Sequence, residues 1–331
     1  MVLNCMKKVL ILTDGKAGHE NQSKAFARAL GCDFEVVRVE FRSKLAKALS
    51  YLLDRVGIAT SNLWRLVPET ADPAEPLPAP FRPAAVIGTG SGTFYAAKSM
   101  ARKLGVKCGV VLYPRGYRLS TFDCILAPAF DRPAAAPNVI EIPANLVAND
   151  AEFYAKGVAA FQEKRGLQSS DSESPNAVAV IIGGPNKCST MTPDWMKTQL
   201  DLIFNSNNQT PEHSNIQFWV TTSRRTPPEV EQVVDSYPWD YKLLYSKDHF
   251  NPIPAFVQLA KRLYVTAEST GMLSEACTFG SAEVVALDNL NPGPHKFRRF
   301  VEQLRSGGYV DGSRKVDLSA QFAAARELLG L

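Results

Sequence analysis

The chain has 331 residues, enough for about two domains at the usual ~150 residues each. An apolar fraction of 45%, a charged fraction of 21% and only 21 Gly and 22 Pro exclude a wholly disordered, collagen-like or low-complexity protein. A formal net charge of +4 is too small a bias to announce a nucleic-acid partner, and no uncharged apolar run approaches the roughly 18 residues of a membrane-spanning helix.

The N-terminal apolar stretch is short and lacks a signal-type cleavage site, so residues 9–12 read as a buried first strand. A turn follows, Asp14-Gly15-Lys16-Ala17-Gly18-His19-x-Asn21-Gln22, and then a helix over 21–30 with Ala25, Phe26, Ala29 and Leu30 on one face. This is neither a dinucleotide fingerprint nor a P-loop, because the glycine and Lys-Ser/Thr spacings differ. His19 at the tip of such a turn can take a proton from a substrate hydroxyl, or it can cap the helix. Lys16 and Asp14 stand beside it. A second strand covers 34–39. Then Phe41, Leu45, Leu49, Leu52, Leu53 and Val56 make an apolar stripe flanked by Arg42, Lys44, Lys47 and Arg55. A basic amphipathic helix over 42–55 can lie on an anionic bilayer; a core-facing helix with a solvated basic face is the simpler reading. Residues 68–83, with six prolines, read as an extended connection. A third strand, 84–88, leads through Gly88-Thr89-Gly90-Ser91-Gly92-Thr93 into a helix ending at 104. That glycine-rich turn can hold an anion or a sugar hydroxyl, or simply connect strand to helix. Strands over 106–112 and 124–127 continue the series.

The polar, Ser-rich stretch 166–176 reads as a linker between a first domain, 1–165, and a second, 177–331, whose last helix can pack back on the first. The rhythm restarts with a strand over 177–182 that runs into Gly183-Gly184-Pro185-Asn186-Lys187. A helix over 194–204 and a strand over 216–220 follow, ending at Thr222-Ser223-Arg224-Arg225-Thr226. Two arginines and two hydroxyls there can hold a diphosphate, or be solvated surface groups. Helices over 228–235 and 254–260 alternate with strands over 243–245 and 263–266. Next comes Glu268-Ser269-Thr270-Gly271-Met272-Leu273-Ser274-Glu275, opening a helix over 271–279. Its N-terminal N–H groups suit phosphate, and Glu275 one turn in can accept the hydroxyls of a ribose, or form a surface ion pair. A strand over 282–287 and an amphipathic helix over 318–329 close the chain. Short apolar strands alternating with helices give an α/β fold of two doubly wound Rossmann-like domains, with ligands beyond the carboxyl ends of the strands in a cleft. Cys5, Cys32, Cys108, Cys124, Cys188 and Cys277 are scattered without metal-ligand spacing, so reduced thiols, no metal site and a cytoplasmic protein are expected.

These loops together resemble the glycosyltransferase-B-like (GT-B-like) superfamily, and within it the mitochondrial-fission Elm family, over nearly the whole chain. The resemblance rests on Thr13-Asp14-Gly15-Lys16-Ala17-Gly18-His19-x-Asn21-Gln22, Gly183-Gly184-Pro185, Thr222-Ser223-Arg224-Arg225-Thr226 and Glu268-Ser269-Thr270-x-Met272-x-Ser274-Glu275-Ala276. It implies a first domain on the acceptor side carrying His19 and Lys16, and a second that holds a nucleotide-sugar through Gly183, Gly184, Ser269, Thr270, Ser274 and Glu275. Asp14, Gly15, Gly18, Asn21, Gln22, Thr89, Gly90, Ser91, Asn186, Ser223, Arg224, Arg225, Glu268, Gly271 and Met272 complete the expected site. One departure stands out: the first loop has Asp-Gly-Lys-Ala-Gly-His where acetylglucosamine transferases commonly carry Gly-Gly-x-Gly-Gly-His.

No Asp-x-Asp metal motif occurs, which suits a metal-independent transfer of a sugar to a glycan or lipid-borne acceptor of the cell envelope, with no cofactor beyond the nucleotide-sugar and with contact at the inner membrane face. A non-catalytic adaptor in membrane or organelle fission is the alternative, as a plant relative's role suggests. An epimerase or hydrolase using Asp14, Glu268 and Glu275 is a third reading.

Overall fold

The computed structural model describes residues 7–67, 82–166, 176–207 and 216–331. In chain order the elements are β1 (Lys8–Thr13), α1 (Ala17–Ala29), β2 (Asp33–Phe41), α2 (Lys44–Arg55), β3 (Trp64–Val67), β4 (Ala85–Thr89), α3 (Phe94–Leu104), β5 (Lys107–Val111), β6 (Cys124–Pro128) and β7 (Val139–Ile142). There follow α4 (Ala151–Lys164), β8 (Ala177–Ile181), α5 (Pro193–Asn207), β9 (Gln217–Thr221), α6 (Pro228–Asp235), β10 (Tyr241–Leu243), α7 (Ile253–Leu259), β11 (Arg262–Thr266), α8 (Thr270–Thr278), β12 (Glu283–Leu287), α9 (Lys296–Ser306) and α10 (Ser319–Leu329).

The chain forms two compact units, Met1–Ala148 with Asp317–Leu331, and Asn149–Val316. The first has a seven-stranded sheet in the order β3-β2-β1-β4-β5-β6-β7, parallel except for the β2–β3 pair. The second has a five-stranded parallel sheet in the order β10-β9-β8-β11-β12. Strands β1, β4, β8 and β11 are apolar nearly throughout because they lie in the middle of their sheets, covered on both faces. The expected pair of Rossmann-like α/β units is present. In each the strand order reverses once, between β1 and β4 in the first and between β8 and β11 in the second. Such reversals open a crevice at the carboxyl ends of the strands.

The division of the chain differs from the expected one. Helix α4, which the sequence reading did not resolve, belongs to the second unit, where the Cβ-less Gly157 lets Pro254 of α7 approach. Helix α10 belongs to the first unit, where Phe322 meets Phe26 and Leu329 packs over Gly109. Most of the expected linker at 166–176 and the proline-rich connection at 68–83 lie outside the described residues, as does Cys5; the other five cysteines are free thiols.

Helix α2 corrects the core-facing reading. Its Ser43 hydroxyl caps Ala46 N–H, as a helix start requires. The side turned inward mixes polar and apolar groups: Asp54 is 1% exposed, accepts from Arg118 N–H at 2.6 Å and pairs with Lys98, Ser50 bonds the Tyr117 hydroxyl at 2.8 Å, and Tyr51 and Leu53 pack on the core. Leu45, Leu49, Leu52 and Val56 are exposed. Among the described residues no helix is long and apolar enough to cross a membrane.

Candidate functional site

In the first unit the crevice lies where the loops after β1 and β4 meet. Helix α1 starts four residues earlier than the periodicity predicts, so His19 stands in its first turn rather than at a loop tip. Asp14 sets this geometry. Its carboxylate accepts from the Lys16 backbone N–H at 3.3 Å, from Lys16 Nζ at 2.8 Å and from His19 Nδ1–H at 3.0 Å. Burial raises the Asp14 pKa, but the Lys16 and His19 contacts outweigh it and hold the carboxyl below its ordinary 3.8. An ionised carboxylate on Nδ1 fixes the imidazole proton there and leaves the Nε2 lone pair as the acceptor.

The β4 loop completes this crevice. Gly90, at φ +82, lies directly against the ring: a Cβ on it would fall 2.4 Å from His19 Cε1. A Cβ on Gly92 would fall 2.7 Å from Asp14. Thr89 is buried, its hydroxyl 2.6 Å from that of Ser23 in α1, which ties strand and helix together. Ser91 is exposed and accepts from Lys47 Nζ of α2 at 3.0 Å. Gly15 makes the turn, Gly18 and Asn21 are exposed, and Gln22 donates to Gly18 O at 3.4 Å.

In the second unit the corresponding crevice lies after β8 and β11. Buried Glu268 organises it. Its carboxylate accepts from Gly184 N–H at 2.8 Å, from the Thr266 hydroxyl at 3.1 Å and from Asn289 Nδ2 at 2.8 Å. The Gly183-Gly184 turn needs both glycines: a Cβ on Gly183 would lie 2.0 Å from Glu268 Oε1, and one on Gly184 2.2 Å from Arg225 O. Thr226 secures the neighbouring loop by donating to Gly183 O at 2.6 Å, and Ser223 accepts from Arg225 N–H at 3.2 Å.

A hollow of about 480 Å³ opens here, lined by Asn186, Lys187, Arg225, Glu268, Ser269, Thr270, Gly271, Lys296 and Phe297. Helix α8 starts in it with no side chain capping its first turn, and α9 starts in it at Lys296. The first N–H groups of a helix are unbonded within the helix and favour an anion. Lys187, Arg225 and Lys296 add three exposed cations, none in an ion pair with a described carboxylate. Glu268 is held inside the protein fabric by its three donors.

The structure therefore brings Gly183, Gly184, Asn186, Arg225, Glu268, Ser269, Thr270 and Gly271 together, and separates others from them. Arg224 and Ser223 line a different hollow, with Glu231 and Tyr245, beyond the ends of β9 and β10. Ser274 is fully buried and donates to Thr270 O at 2.6 Å within its own helix; Met272 does not line the hollow. Glu275 turns toward α4, accepting from Tyr154 Oη at 2.8 Å and Asn149 Nδ2 at 3.1 Å. Burial raises its pKa above the ordinary 4.5 despite those two donors. Lys187, Lys296 and Phe297 were not among the expected site residues. The signal for α9 was present in Phe297, Phe300, Val301 and Leu304 at helical spacing after His295, whose ring caps Arg298 N–H.

The sequence matches the profile of the family described as mitochondrial fission ELM1 over residues 17–325, a span that takes in the second crevice and, of the first, His19 and the β4 loop. The chain belongs to the mitochondrial fission ELM1 family. No curated protein matches it in sequence. Among solved structures, this ELM1-family chain is similar to a UDP-GlcNAc 2-epimerase from Neisseria meningitidis bound to UDP-GlcNAc, at 11% identity and a TM-score of 0.48, over 98% of this chain and 97% of that one. It is also similar to S. aureus MnaA with UDP (12% identity, TM-score 0.46, 98% and 90% covered). A UDP-glucosyltransferase from Polygonum tinctorium is a third (10% identity, TM-score 0.48, 98% and 90% covered).

Proposed function

We propose that this chain is a GT-B-like, metal-independent glycosyltransferase of the cytoplasm. It binds a nucleotide-sugar on its second unit and passes the sugar to a hydroxyl of a glycan or lipid-borne acceptor at a membrane face. The observation that carries this reading is the hollow of about 480 Å³ in which Lys187, Arg225 and Lys296 join the uncapped first turn of α8. Its size suits a small organic ligand. Its charge suits a diphosphate, and it strengthens its hold as negative charge develops on the departing group. On the acceptor side, His19 Nε2 takes the hydroxyl proton while Asp14 keeps the ring oriented and stabilises the imidazolium. The acceptor oxygen bonds the anomeric carbon as the bond from that carbon to the diphosphate oxygen breaks.

The reading is tested by calorimetry with UDP, GDP, ADP, CMP and their sugars. A nucleoside diphosphate is expected to bind, and removal of Arg225 or Lys296 to weaken it. Silence across the panel from a folded protein would leave the adaptor role as the better account. The engagement of Glu275 with Tyr154 and Asn149, where a ribose contact was expected, is the observation on that side.

A further inference from the structure

Helix α2 packs Tyr51 and Leu53 on the core but turns a second set of apolar side chains outward. Leu45 is 78% exposed, Leu49 40%, Leu52 58% and Val56 70%, and Ile58 just beyond the helix is 48% exposed. At 3.6 residues per turn the four helical positions fall within an arc of about 60°, so they form one continuous stripe. No described residue covers it. The opposite side is locked down by the Asp54–Lys98 pair, by the Ser50–Tyr117 hydrogen bond and by Tyr51 stacked on Tyr117 at 4.4 Å. Helix rotation therefore cannot bury the stripe without breaking a buried ion pair.

The charges around the stripe identify what covers it. Arg42, Lys44 and Arg55 are exposed along the same segment, Lys47 is half-buried, and Arg102 stands beside its end, donating to Gly57 O. The only carboxylate between residues 42 and 58 is Asp54, which is buried and paired. A second copy meeting this face across a two-fold axis would set cations against cations. An anionic lipid surface instead accepts both the leucines and the positive rim. We infer that α2 is a membrane-docking helix that seats the first unit on an anionic bilayer. Lys47 Nζ, bonded to Ser91 Oγ, links the docked helix to the loop that carries Gly90 against His19. Docking thus holds the proton-accepting loop of the first unit near lipid-borne hydroxyls. The inference stands on the exposure and charge of α2 and does not depend on sugar transfer.

The test is co-sedimentation of the full chain with phosphatidylcholine vesicles, with and without phosphatidylglycerol. Binding is expected only with the anionic lipid, falling as salt rises. Leu49→Ser with Leu52→Ser is expected to lower the partition at least tenfold with an unchanged melting temperature, since both positions are solvated in the free protein. Lys44→Glu with Arg55→Glu is expected to do the same through charge. Failure to pellet with anionic vesicles, or pelleting that both double variants retain, overturns the inference. So does a dimer in solution that dissolves in the leucine variant while vesicle binding is absent, because the stripe then serves a second copy.

Discussion

The two units share the same reversal of strand order at the centre of their sheets and use the crevice it opens in opposite ways. After β1 and β4 the space is filled by the protein's own charged groups: Asp14, Lys16 and His19 satisfy one another, and Gly90 and Gly92 lack side chains so that the ring and the carboxylate fit. After β8 and β11 the glycines make room for backbone and for Glu268, while Lys187, Arg225 and Lys296 have no ion-pair partner among the described residues and stand in an open hollow. A self-compensated Asp–His–Lys group is suited to moving a proton. An uncompensated cluster of cations at helix starts is suited to holding an anion. The same central strand order therefore carries a self-compensated cluster in one unit and exposed cations in the other; under the proposed function the first moves a proton and the second holds the diphosphate.

The sharpest way to break this comparison is to exchange effects between the crevices. His19→Ala is expected to lower turnover about 10²–10⁴-fold and leave nucleotide affinity nearly unchanged, whereas Arg225→Ala with Lys296→Ala is expected to weaken nucleotide binding at least about a hundredfold. Turnover assays beside titration calorimetry separate the two, and a His19 variant that loses nucleotide binding would erase the distinction.

A smaller effect concerns how each unit treats buried charge. Asp54 of the first unit is compensated by Lys98, so Asp54→Ala leaves the Lys98 ammonium without its carboxylate, among Tyr95, Tyr117 and Phe122 with only the Thr121 hydroxyl at 3.4 Å to accept from it. About 3–5 kcal/mol of stability is expected to be lost, read by denaturant unfolding. Gly183→Ala drives a methyl into Glu268 and is expected to cost about 1–3 kcal/mol, while Gly18→Ala, facing open space, is expected to cost nothing measurable.

The smallest effect is a difference in the sign of a pH dependence. Asp14 has a folded pKa below its ordinary 3.8, so it adds stability at neutral pH that disappears as pH falls through that value. Glu275 has one above its ordinary 4.5, so the folded state favours its protonated form, and its contribution is present at low pH and lost as pH rises through the raised value. Glu275→Gln is therefore expected to gain in melting temperature on the wild type as pH rises above the ordinary 4.5, and Asp14→Asn to stand below the wild type at neutral pH by a margin that closes as pH falls below the ordinary 3.8. Parallel shifts for the two variants would refute the contrast.

Much of the fold was legible because local chemistry decides it. Central strands announce themselves as continuous apolar runs, and glycine-rich turns mark the crevices. What the pattern does not contain is direction. Periodicity groups Leu45, Leu49, Leu52 and Val56 on one face, but whether that face turns inward depends on Asp54 meeting Lys98, two residues from different elements. Glu275 looked available for a ribose because its partner Tyr154 lies 121 residues away, on a helix the reading did not resolve. The separation of Arg224 from Arg225 follows from which side of a tight turn each occupies, which adjacent positions in sequence do not reveal.

Titration calorimetry of UDP into the intact chain and into its Arg225→Ala, Lys296→Ala and His19→Ala variants tests the assignment of the anion crevice most directly. The account predicts binding by the wild type, at least about tenfold weaker binding in either cation variant, and wild-type affinity in His19→Ala. A wild-type chain that binds neither UDP nor any other nucleoside diphosphate, or binding undiminished by loss of Arg225 and Lys296, would contradict it.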